Sequence, residues 1–173
     1  MDLLKCSIGL LALTCFLSAP VYSETPVTVT RCIDGDTLQL SNGEKVRLIG
    51  VDTPESKNNA KTRRDAKRTG QDIKTITEQG KKAKEFTRQL VESKQVRLEL
   101  DVRQRDKYGR LLAYVFLEDG TFVNAEILKA GYAQVMTVQP NVKYQILFLD
   151  LQGKARIGKK GLWSFESPTN VRA

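Results

Sequence analysis

Ser41-Asn42-Gly43-Glu44 separates two runs in which apolar and polar residues alternate, Thr37 to Leu40 and Lys45 to Val51. Asn-Gly between alternating runs is a strong hairpin signal, because both residues reach the positive φ that a tight two-strand turn needs. The turn therefore dictates an antiparallel pair and its register. Val27 to Cys32 alternates just upstream, so the chain opens on three half-buried strands, the third ended by Pro54.

Downstream the pattern changes. Residues 56–84 hold ten basic and three acidic side chains and almost no apolar periodicity. This reads as a long, exposed basic loop over 56–80, mobile without a partner and either solvated or gripping a substrate. A helical period follows from Lys81 to Glu92, with Ala83, Phe86, Leu90 and Val91 on one face. Val96 to Leu100 and Leu111 to Leu117 read as strands, with an Asp119-Gly120 turn after them. Val123 to Ala130 reads as a helix closed by Gly131. A last helix spans Val142 to Ile157, with Ile146, Leu149 and Ala155 at helical spacing, and Trp163 and Phe165 pack the chain end onto the body. Three strands, a helix, two strands and two helices predict an α+β chain, mainly a β barrel. The expected form is a five-stranded OB-fold barrel with three α-helices.

The segment ahead of the first strand reads as a signal. Cys6 to Ala19 is apolar, too short to span a bilayer comfortably, and small residues up to Ser23 offer a cleavage point. The expected division is a signal peptide, 1–23, and one domain, 24–173. That predicts a secreted, periplasmic or cell-envelope protein with no stable membrane association once the signal is cleaved. Neither Cys6 nor Cys15 follows a lipobox. Cys32 is then the one cysteine left, a small buried core residue rather than a disulfide partner.

Charge and composition narrow the chemistry. Lys and Arg outnumber Asp and Glu 28 to 20, a net +8 that favours an anionic partner such as nucleic acid. The chain has no histidine, which excludes Ser-His and Cys-His nucleophilic pairs and the usual imidazole base. Acidic side chains fall in two clusters, Asp34 with Asp36 and Asp52 with Glu55. The hairpin brings the clusters to one sheet edge, where carboxylates repel one another unless a cation joins them. Oxygen ligands without histidine suit calcium or magnesium. Arg47 lies an odd five residues before Asp52, hence on the opposite face of a regular strand unless a bulge intervenes. Asp106-Lys107-Tyr108-Gly109-Arg110 supplies a second arginine on a tight turn. Two arginines beside a metal suit a phosphodiester reaction. Each motif alone is more often a turn or a cap; their conjunction is specific.

IDGDTLQL (33–40), VRLIGVDTPE (46–55), DKYGRLLAYVFL (106–117), VNAEILKAGYA (123–133) and KKGLW (159–163) resemble, in that order, the staphylococcal nuclease family. The resemblance implies a calcium-dependent endonuclease that hydrolyses DNA and RNA to 3′-phosphate ends and acts as a monomer. By position, Asp36 and Asp52 resemble the calcium-ligating aspartates and Thr53 the carbonyl ligand, with Asp34 supporting. Glu55 resembles the general base or water organiser. Arg47 and Arg110 resemble the catalytic arginines. Lys107 and Tyr108 resemble terminal-phosphate contacts. Two departures stand out. The stretch 136–140, MTVQP, lacks the two tyrosines of the family's prototype, one of which stacks on a base. The basic segment is also longer, and its cations are expected to grip backbone phosphates instead. The alternatives are a non-catalytic nucleic-acid-binding OB-fold module and an envelope protein that binds acidic polymers.

Overall fold

A computed structural model describes residues 26–165. Strands β1 (Val27–Asp34), β2 (Thr37–Leu40) and β3 (Lys45–Leu48) form the predicted meander. The turn forms at the Asn-Gly pair, with Gly43 at φ +86° and Asn42 outside the positive-φ region. β5 (Gln95–Arg105) and β6 (Leu111–Leu117) complete a closed five-stranded barrel in the order β1-β2-β3-β6-β5, with β3 and β6 parallel. The core holds the inward set Val29, Leu38, Leu40, Val46, Val96 and Val115, each at most 2 % exposed. Their period of two along each strand follows from the pleat.

Among the described residues, four α-helices surround the barrel rather than three. Residues 56–80 are not one loop: α1 (Ala60–Thr69) and the first turns of α2 (Ile73–Val91) occupy them. Asn59 caps α1, its Oδ1 accepting from the Thr62 backbone NH at 3.0 Å while the Thr62 hydroxyl accepts from the Asn59 NH. Asp72 caps α2 through the Thr75 NH at 2.9 Å. The buried stripe of α2 is Ile76, Gln79, Gly80, Ala83, Thr87 and Val91. Its spacing is helical, but its first half offers only Ile76 as a large apolar residue, so the apolar period shows in the sequence only from Lys81 onward.

The third predicted strand, Lys45 to Val51, is two: β3 ends at Leu48 and β4 (Gly50–Asp52) leaves the barrel to pair with β7 (Gln134–Met136), a strand that the sequence reading missed. α3 (Val123–Lys129) and α4 (Gln145–Ile157) pack together. α4 buries Phe148 and Ala155 and leaves Ile146 86 % exposed, so the inward stripe is not the one centred on Ile146 and Leu149. The aromatic rings of Tyr114, Phe122 and Tyr144 draw Phe148 inward. Trp163, in the closing turn Gly161–Phe165, is buried against Ala155 and Leu162; the side chain of Phe165 and residues 1–23 lie outside the described residues. Cys32 is buried as expected, and burial pushes its thiol up to about 12.

Candidate active site

The site forms where β1 turns into β2 and where β3 breaks into β4. Gly35 lets these two segments approach: a Cβ there would lie 2.8 Å from both Thr53 Cγ2 and Oγ1. Its contribution is the missing side chain, since its φ is ordinary. Asp36, 5 % exposed, then reaches Thr53, with Oδ2 accepting from the backbone NH and from the hydroxyl, both at 3.1 Å. Oδ1 accepts from the Thr37 hydroxyl at 3.0 Å.

The break at Ile49-Gly50 resolves the parity problem posed by Arg47 and Asp52. Gly50 takes φ +77°, a left-handed conformation natural to glycine, and redirects the strand. Asn124, fully buried on α3, donates from Nδ2 to the Ile49 carbonyl at 2.9 Å and accepts from the Val115 NH at 2.9 Å. It anchors the break to the barrel wall. Arg47 and Asp52 therefore meet, with Nη2 3.0 Å from Asp52 Oδ1 and Nη1 2.5 Å from Asp36 Oδ2. One guanidinium bridges the two aspartates, in the planar fork geometry that suits carboxylate and phosphate alike.

Glu55 follows Pro54 beside this cluster and is supported from behind by α2. A Cβ at Gly80 would collide with the Glu55 carbonyl. Its carboxylate is gripped by the start of α1: Asn59 Nδ2 donates to Oε2 at 2.6 Å, and Lys61 Nζ lies 3.2 Å from Oε1. The same ammonium donates to the Thr53 carbonyl at 2.8 Å and lies 3.0 Å from Asp52 Oδ1. Burial alone would push its pKa down, but the Asp52 and Asp36 charges and the hydrogen bond to Asp52 outweigh that and hold it above the ordinary lysine value. Asp34 is set apart, its Oδ1 accepting from the Gly35 NH at 3.1 Å. Burial, then the charges of Glu55 and Asp36, push it up to about 6.

Arg110 closes the opposite side. Its Nε donates to Asp106 Oδ2 at 2.7 Å, and Nη1 reaches the Thr37 hydroxyl at 3.4 Å, one residue from Asp36. Arg47 and Arg110 both line a cleft of about 550 Å³ that runs beneath the 106–110 turn to Met136 and Val138. Lys107 and Tyr108 stand at its exposed rim and do not touch the acidic cluster; Tyr108 is 72 % exposed, with Lys107 Nζ 5.1 Å from its ring centre. The MTVQP stretch thus faces this cleft through Met136 and Val138.

Among the described residues, no three acidic or cysteine side chains stand together as a ready-made metal cage. The convergent oxygens are two aspartates and a backbone carbonyl, spaced by Arg47 and Lys61. The sequence reading missed Lys61, Asn59, Asp106 and Thr37 as partners in the site. The Asn59-x-x-Thr62 capping pattern was the available signal for the first two.

The family profile described as "Staphylococcal nuclease homologue" matches residues 45–165. The chain belongs to the staphylococcal nuclease family. It is similar to a thermonuclease of Staphylococcus intermedius, at 39 % identity over 138 residues, or 78 % of this chain and 74 % of that protein. A thermonuclease of Staphylococcus hyicus is 37 % identical over 82 % of this chain and 78 % of its own length. Endonuclease YncB of Bacillus subtilis is 39 % identical over 80 % of this chain and 61 % of its own. The family match begins inside the meander and ends in the closing turn, so it takes in β3, the Asp52–Glu55 segment, both helices of the basic stretch and the 106–110 turn.

Proposed function

We propose that this protein is a calcium-dependent endonuclease that cleaves DNA and RNA to 3′-phosphate ends. The nuclease class and the nucleic-acid substrate rest on family membership. The observation that carries the rest is the Arg47 guanidinium joining Asp36 to Asp52 at the mouth of a cleft that Arg110 also lines. Asp36, Asp52 and the Thr53 carbonyl would hold the ion. The donor set fits calcium: it is all oxygen, no histidine exists in the chain, and a cation, the Lys61 ammonium, already rests against the Thr53 carbonyl and Asp52. When bound, calcium supplies Lewis-acid polarisation of the scissile phosphate and helps to place the attacking water.

The chain's own groups do the remainder. Glu55 receives the water's proton or orients it as the water oxygen bonds to phosphorus. The P–O5′ bond breaks, and the departing oxygen takes a proton from solvent to become a 5′-hydroxyl. Arg47 and Arg110 present paired N–H donors to the phosphoryl oxygens, where negative charge grows. Lys107 and Tyr108 contact a neighbouring phosphate at the rim. Residues 1–23 direct the chain to the envelope or outside the cell, where it acts as a monomer.

The test is cleavage of single-stranded DNA and RNA with calcium and with chelator, followed by end-group analysis. Calcium-dependent products whose labelling requires removal of a 3′-phosphate are expected. Uncut substrate that is nevertheless bound would make the chain a non-catalytic OB-fold module.

A further inference from the structure

We propose that Lys61 is a tethered cation that occupies the calcium seat in the resting protein, so that calcium must displace it and its hold sets the calcium affinity. The inference rests on the calcium reading above. Three observations carry it. The ammonium contacts three oxygens at 2.8, 3.0 and 3.2 Å, the Thr53 carbonyl, Asp52 and Glu55. Two of these belong to the assigned calcium ligands and the third to the assigned base. The ammonium donates a hydrogen bond to the carbonyl and is ion-paired with both carboxylates. The side chain is only 25 % exposed, so the contacts are partly shielded from solvent.

The anchoring of Lys61 makes displacement feasible. It is the second residue of α1, behind a cap formed by Asn59 and Thr62, and Thr62 is fully buried. The backbone therefore stays fixed while a four-carbon stem can swing outward. Asn59 continues to hold Glu55 Oε2 after the ammonium leaves Oε1. Departure thus frees Asp52 and the Thr53 carbonyl for the ion and removes a cation from the base, while Glu55 stays in position. Asp52 then keeps Arg47 as its partner. The acidic cluster remains neutralised in both states, which avoids the carboxylate repulsion of an empty site.

An occupied seat lowers apparent affinity by the fraction of molecules in which it is free. With Lys61 seated at least nine-tenths of the time, Lys61→Met binds calcium about tenfold tighter or more. Titration calorimetry of the full chain with calcium chloride, without nucleic acid, reads this directly. Lys67→Met, on the exposed side of the same helix, controls for net charge and keeps the wild-type affinity. Lys61→Gln serves if the methionine variant does not fold without calcium. Acetylation of the wild type, followed by mass spectrometry, gives a readout that a purely structural lysine would not move: calcium speeds modification of Lys61 and leaves that of Lys67 unchanged. Equal or weaker calcium binding by both Lys61 variants, or acetylation of Lys61 indifferent to calcium, overturns the proposal. In those outcomes calcium still binds, so the calcium reading stands. If neither wild type nor variants bind, the calcium reading falls with it.

Discussion

Arg110 is held by a single carboxylate at the edge of a cleft, and its reach toward Thr37 is long, at 3.4 Å. An arginine so lightly tied has N–H groups left for a phosphate, whereas a lysine would offer one point charge without the fork. Arg110→Lys should lower kcat by about a hundredfold or more, the usual loss for one donor to a developing charge. Binding of single-stranded DNA, measured by anisotropy, should change only a few-fold. A KM effect with kcat intact would remove Arg110 from the chemistry. Cys32 illustrates a residue with no part in the site. Burial raises its thiol to about 12, so the folded state keeps it protonated where an unfolded chain would ionise it near 9. This group therefore contributes nothing adverse at neutral pH, and stability falls as pH rises from about 9 toward 12. With Cys6 and Cys15 replaced by serine, a thiol reagent at pH 8 should label Cys32 only after denaturation. Rapid labelling of the folded protein would contradict the burial.

At the scale of elements, the break between β3 and β4 decides whether a site exists. A regular strand would send Arg47 and Asp52 to opposite faces, and only the redirected backbone at Gly50 brings them to 3.0 Å. Asn124 satisfies the Ile49 carbonyl exposed by that break. Asn124→Ala leaves the Ile49 carbonyl and the Val115 NH buried without this partner, and should cost about 2–4 kcal/mol in urea unfolding. Activity should fall further than stability alone explains, because Arg47 and Asp52 lose their register. Full activity in the folded fraction would mean that the break stands without Asn124. This also marks how far the sequence could be read. Alternation and Asn-Gly made the barrel legible, because half-buried strands leave a period of two. The acidic clusters and both arginines were legible as motifs. The break was not, since Ile49-Gly50 fits an uninterrupted strand equally well. α1 and the start of α2 were hidden because α1 buries only Thr62 and the first turns of α2 bury Gln79 and Gly80 beside a single Ile76. Lys61 was hidden with them, as one cation among ten.

Over the whole molecule, the cations divide between those absorbed by carboxylates and those presented to solvent. Arg47 and Lys61 are engaged inside the site and Arg105 is paired with Glu44 at 2.9 Å, while Arg103 and Lys107 line the cleft from exposed positions. Arg63 and Arg64 extend the exposed charge along α1, on the helix whose first turn touches Glu55. A strand that ran from the cleft past the Arg47–Asp52 pair to α1 would meet a helix rather than a loop, with basic groups held at fixed spacing. Fixed cations release condensed counterions when they meet phosphates, and each such contact steepens the salt dependence of single-strand binding by about 0.7 in log-log slope. Arg63→Gln with Arg64→Gln should therefore flatten that slope by up to about 1.4, raise KM at moderate salt and leave kcat in place. Measuring kcat and KM on single-stranded DNA across a salt series separates this from a fold defect, which would lower kcat at every salt concentration. An unchanged slope would confine the substrate track to the barrel cleft and leave α1 with the task of holding Glu55 and Lys61.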